Sequence, residues 1–249
     1  MQNKLNEKFF DSELQLNPKI RVILLKMAHE IIASASETLE KEIPVAGTIF
    51  TGSLASVNFD SYSDIDLHLL IDYSDLDEEK KTLLSEFLSY FIKDWNRNEF
   101  TVLGFKVEAY PQDKDETHQA EGIFDLENNE WIKQPNLDNK LEYTPEQFAK
   151  AKEYYNKVKE LRCECNNPKQ AEQFYDEVKA LWTEIKEMRQ RGMDSAEGMF
   201  SDENRVFKLL RRNKTLATLI ELLRRTKKKI FTIPENKKLP NFKTFLKMF

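Results

Sequence analysis

Thr48-Ile49-Phe50-Thr51-Gly52-Ser53 brings an apolar run to a glycine-serine turn, and soon afterwards the chain reads Ser63-Asp64-Ile65-Asp66-Leu67-His68-Leu69-Leu70. Side chains of a strand alternate with period two. A strand through the second stretch therefore sends Ile65 and Leu67 into a core and holds Asp64 and Asp66 on the other face. Two adjacent carboxylates raise each other's cost of ionisation, an odd choice for a purely structural strand. A divalent cation removes that objection, because carboxylate oxygens suit Mg²⁺, which completes its octahedron with water and phosphate oxygens. The Gly52-Ser53 turn supplies the complement: glycine permits close backbone approach, and N–H groups at a helix start attract phosphate.

Asp-x-Asp alone is common on solvated strands, and Gly-Ser alone is a common turn. Their order and separation give them weight, and a third acid joins them. Glu108 lies in Phe105-Lys106-Val107-Glu108-Ala109-Tyr110 with apolar residues on both sides, as on the polar face of a half-buried strand. Three acids on adjacent strands beside a phosphate turn make a two-metal site. Should Glu108 fail as the third acid, Asp113 and Asp115 are next in line.

Gly52-Ser53, Asp64-x-Asp66 and Glu108 together resemble the signature of the DNA polymerase β-like nucleotidyltransferase superfamily. The segments His118 to Leu126 and Phe200 to Arg212 are similar to uncharacterised nucleotidyltransferase-like proteins of bacteriophages, which extends the resemblance over most of the chain. It implies a small mixed-sheet, palm-like catalytic domain and transfer of an NMP from an NTP to an acceptor hydroxyl. It also implies two Mg²⁺ or Mn²⁺ ions on Asp64, Asp66 and Glu108, with Gly52 and Ser53 gripping the outer phosphates. Glu108 completes the acceptor-side metal or serves as general base. His68 continues the aspartate face and could approach the triphosphate or acceptor, although a lone strand histidine is more often structural. His118, before the small-residue segment Gln119 to Gly122, could lie near the nucleotide or be a plain loop histidine, and His29 is structural in the first helix.

The 249 residues accommodate a catalytic domain, taken as 1–136, and a helical companion, 137–249, in an α+β chain. No run approaches the roughly eighteen apolar residues of a membrane span, and the N-terminus lacks a secretory apolar stretch. A soluble cytoplasmic protein is expected, in the host cytoplasm if phage-encoded. Cys163 and Cys165, two apart in an expected helix, cannot bridge within it and read as free thiols.

Net charge is −5, yet from Arg205 to the C-terminus fourteen Lys or Arg face only Glu221 and Glu235. Such a segment favours a polyanion, either RNA or the triphosphate itself; the bland alternative is a solvated helix face. In a helix starting near Ser201, Asn204, Lys208, Arg211 and Arg212 share one face, with Leu209, Leu216, Ile220 and Leu223 on another. The superfamily commonly uses a helical-domain cation on the β- and γ-phosphates, which makes Lys208, then Arg211, candidates for substrate binding. RNA is the slightly favoured acceptor. The alternatives are nucleotidylation of a small molecule or a protein (AMPylation), and an inactive nucleotide- or nucleic-acid-binding module of the same fold.

Periodicity supplies the remaining elements. Asn17-Pro18 opens a helix to about Leu39, Val45 to Thr51 and Ile65 to Asp72 are strands, and Leu83 to Trp95 carries a helical stripe. Thr101 to Tyr110 alternates as a strand, and a hairpin turns at Asn128-Asn129. Thr144-Pro145-Glu146-Gln147 has the capping-box form, and Asn167-Pro168 starts a second C-terminal helix. Phe242, Phe245 and Phe249 could dock an otherwise loose tail.

Overall fold

The computed structural model describes residues 4–118, 120–138, 142–161 and 168–232. The chain forms two compact units, Met1–Glu142 and Tyr143–Phe249, so the division falls six residues beyond the change in composition. Cys163, Cys165, the Asn167 cap and the aromatic tail lie outside the described residues. Among the described residues no helix is long and apolar enough to cross a membrane.

In the first unit, α1 (Pro18–Leu39) starts where the Asn17 side chain accepts the Lys19 N–H, with proline at the first position. Its Ile20, Leu24, Ala28, Ile31 and Ala35 are buried. Six strands follow: β1 (Val45–Thr51), β2 (Ile65–Ile71), β3 (Thr101–Val102), β4 (Phe105–Asp113), β5 (Ile123–Asp125) and β6 (Glu130–Lys133). They form one mixed sheet in the order β3-β4-β2-β1-β5-β6. Only β2 and β4 run parallel, and α2 (Glu78–Trp95) supplies the crossover that such a pair requires.

Ile65, Leu67, Leu69 and Ile71 join Val107 and Ala109 in a core shared with α1 and α2, so those helices cover one face of the sheet. Leu83 departs from the expected stripe: it is 61% exposed, whereas Leu88, Ile92 and Trp95 are buried. The N-terminal residues before α1 also enter this core. Phe9 and Phe10 pack on Phe50, and Phe10 stacks on Trp131 with ring centroids 5.0 Å apart.

The alternating stretch from Thr101 to Tyr110 is two strands rather than one. Leu103 (φ 53°) and Gly104 (φ 86°) form the two-residue positive-φ turn that matches hairpin twist. The hairpin at Asn128-Asn129 is present between β5 and β6, with Asn129 at φ 58°.

The second unit contains α3 (Pro145–Glu160), α4 (Pro168–Asp194), α5 (Asp202–Arg212) and α6 (Thr215–Phe231). Thr144 and Gln147 make the expected reciprocal capping box, and Phe174, Val178, Leu181, Ile185 and Met188 are the buried stripe of α4. The helix expected from Ser201 onward is broken. Lys214 takes φ 64° and the Asn213 side chain accepts the Thr215 N–H, which ends α5 and starts α6. Within α5 Asn204 is buried while Arg211 is exposed, and beyond the break Ile220 is 50% exposed while Leu219 enters the core.

Candidate functional site

Register places the first-unit acids. In the parallel ladder Asp66 lies opposite Glu108, and His68 lies opposite Tyr110. In the antiparallel ladder Thr51, the residue before Gly52, lies opposite Asp66. Alternation puts Asp66, His68, Glu108 and Tyr110 on the sheet face away from the α1 and α2 core, with Asp64 immediately before β2.

Tyr110 ties the carboxylates together. Its hydroxyl donates to Glu108 Oε2 at 2.6 Å. The phenol is pushed well above its ordinary pKa, first by burial, then by the bond to Glu108, and then by the negative charges of Glu108, Asp66 and Asp64. The residue keeps 38% of its surface in solvent. All three proposed acids thus act on one hydroxyl. The other oxygen of Glu108 is 3.2 Å from Lys106 Nζ.

Gly52 takes φ 81° and ψ −161°, a region essentially reserved for glycine. A Cβ on it would stand 1.8 Å from Asp66 Oδ2. The aspartate carboxylate therefore lies directly against the turn. The expected helix start is here only a three-residue 3-10 turn, Ser53–Ala55, because Ser56 returns to extended backbone. Such a turn lacks the aligned peptides of a macrodipole, which leaves local N–H groups and the serine hydroxyl as its anion-binding means. Ser53 donates that hydroxyl to Ser63 Oγ at 2.8 Å, and Ser63 also accepts the Asp60 N–H. Ser63 is a buried turn residue.

Farther along the face, His68 Nδ1 is 2.6 Å from Gln112 Oε1, and the Gln112 amide nitrogen is 3.3 Å from His118 Nδ1. Burial lowers the pKa of both imidazoles, so neutral rings are favoured. The two histidines sit together, 5.9 Å between ring centroids. His29 stands apart on α1, 3.6 Å from Glu127. Asp113 pairs with Lys81 at 2.7 Å and lies opposite Ile71, five residues or about 16 Å along the strand from Glu108. That distance removes Asp113 as a substitute third acid.

Sequence reading missed Lys106, Tyr110 and Gln112. The signal was present: counting by two from Glu108 in either direction puts all three on its face. In the second unit Lys208 is half-buried and Arg211 exposed on α5, while Arg224 and Arg225 both engage Glu221 on α6.

The oxygen chemistry of Asp64 and Asp66 fits a hard divalent cation. Glu108 is held by Lys106 and Tyr110, and among the described residues no group of three or more His, Cys, Asp or Glu side chains could hold a metal ion as arranged. Two of the three expected ligands suit the ion, and the third must exchange partners to join them. No protein-family model, curated protein or solved structure matches the chain.

Proposed function

We propose that the chain is a nucleotidyltransferase whose first unit is a palm-like catalytic domain, moving an NMP from an NTP to an acceptor hydroxyl, with RNA the favoured acceptor. The observation that carries this is the in-register pair Asp66 and Glu108 on adjacent parallel strands, with the Asp66 carboxylate against Gly52. Divalent cations, Mg²⁺ or Mn²⁺, on Asp64 and Asp66 would neutralise phosphate charge and activate the attacking oxygen. The chain's own groups do the positioning. Gly52 lets the Asp66 carboxylate lie against the turn, and Ser53 offers its hydroxyl to phosphate oxygens in exchange for Ser63. Glu108, held by Lys106 and the Tyr110 hydroxyl, accepts the acceptor's proton.

One observation favours the inactive-module alternative: both oxygens of Glu108 already have partners. Incubation with each α-labelled NTP, Mg²⁺ or Mn²⁺, and separate RNA, protein and metabolite pools decides between them. Label transferred by the parent and lost in Asp66→Asn supports transfer. Nucleotide binding without transfer in every pool supports the module.

A further inference from the structure

The helix α3 presents Phe148, Lys152, Tyr155 and Lys159 at spacings of four, three and four residues, all on one stripe and all exposed. Phe148 and Tyr155 keep 53% and 42% of their surface in solvent, unusual for aromatic rings seven residues and about 10 Å apart along a helix. Phe148, Lys152 and Tyr155 line one wall of a groove of about 600 Å³, closed on the other side by Leu209, Arg212 and Asn213, with Lys159 about one turn farther along the helix. Arg212 lies over the Tyr143 ring at 5.1 Å, and Tyr143 in turn meets Phe148 with centroids 5.8 Å apart. The acids of α3 are elsewhere. Glu146, Glu153 and Glu160 fall about 100° or more around the helix from this stripe, and Glu153 is occupied by Lys150 and Lys157.

Aromatic faces alternating with cations suit a chain whose bases stack while its phosphates are neutralised. A purely apolar partner leaves Lys152 and Lys159 uncompensated. The chain's own C-terminal segment, with Lys237, Lys238, Lys243 and Lys247 against Glu235, carries the same sign of charge as the groove. We propose that this groove binds single-stranded polynucleotide, with bases stacked on Phe148 and Tyr155 and the backbone along Lys152, Lys159 and Arg212. The proposal rests on the nucleotidyl-transfer reading only in making the bound strand its acceptor; the binding itself is separable.

The test is fluorescence polarisation of labelled oligonucleotides of about 12 nucleotides, RNA and DNA of one mixed sequence, across a salt series with the full chain. The parent binds both or prefers RNA, and either result supports the groove; a preference for RNA assigns a contact to the 2′-hydroxyl. The Phe148→Ala/Tyr155→Ala pair weakens binding about tenfold or more, and Phe148→Leu/Tyr155→Leu does not restore it, because apolar bulk without a π-face cannot stack. Lys152→Gln/Lys159→Gln flattens the log–log salt slope by about 1.4, two contacts at about 0.7 each. Circular dichroism and melting confirm the fold of each variant. Aromatic variants that bind as the parent does overturn the proposal. So does a parent that fails to bind, including one that self-associates through this surface and is dissociated by Phe148→Asp. If the parent binds the oligonucleotides through this surface while transferring nothing to them, the catalytic reading falls and the groove stands.

Discussion

Gly52→Ala probes the contact on which the site depends. Two costs combine. The backbone region at φ 81°, ψ −161° carries a penalty of about 1–3 kcal/mol for a residue with a Cβ. The new methyl also stands 1.8 Å from Asp66 Oδ2 and 2.7 Å from its Cγ, so the carboxylate must swing off the turn. For a chain of this size the backbone cost alone lowers Tm by roughly 3–10 °C. Activity suffers more, since misplacing a reacting group by about 1 Å can cost about 10²-fold. A double-mutant cycle separates the two. Asp66→Ala leaves only its Cβ, 3.1 Å from the added methyl, so Gly52→Ala in that background costs less, with a coupling of roughly 0.5–3 kcal/mol. Calorimetric melting of the four proteins, beside an α-labelled NTP transfer assay on the parent and Gly52→Ala, reads both effects. Equal melting costs in the two backgrounds, or parental transfer by Gly52→Ala, would refute the packing of Asp66 on the turn.

Asp64→Asn abolishes transfer with the fold intact and, without metal, melts no lower than the parent, because the change removes like-charge repulsion at constant volume; melting and transfer assays check it together. Glu108→Gln depresses turnover more than affinity for a non-hydrolysable triphosphate. Ser53→Ala does the reverse, at a stability cost of about 1 kcal/mol for the lost bond to Ser63, and calorimetric titration of both variants measures the difference. His68 and His118 have lowered folded pKa values, so the unfolded chain binds the more protons between those values and about 6.5. Their contribution to stability is therefore full above about pH 6.5 and is lost as pH falls through the folded values. A Tm series from pH 8 to 5 shows that fall, and it shrinks in His118→Gln.

Local signals made much of the fold legible. The Asn17-Pro18 start, the Thr144 capping box and the period-two run through Ile65-Asp66-Leu67 depend on neighbours within a few residues, and each element stands where its sequence puts it. Features set by distant partners were not legible. Phe9 and Phe10 have no local periodicity, and only Phe50 and Trp131 across the core give them a place. The break at Lys214 hides in a sequence whose hydrophobic spacing continues almost unchanged, because a side-chain cap from Asn213 rather than a proline or glycine makes it. At the site, the alternation that grouped Asp64 and Asp66 was read, but strand register was not available. Without the pairing of β2 with β4, nothing in the sequence set Glu108 directly opposite Asp66.

The account turns on whether Asp66 beside Gly52 directs attack on an α-phosphate. Pyrophosphate release and NMP incorporation should be counted in the same reaction, by coupled assay and by mass spectrometry of the acceptor, for the parent and Asp66→Asn with RNA, NTP and Mg²⁺. The account predicts one pyrophosphate released for each NMP attached by the parent, and neither product from a folded Asp66→Asn. Equal incorporation by both proteins, or an acceptor mass that never changes with any pool while the parent is folded and binds NTP, contradicts it.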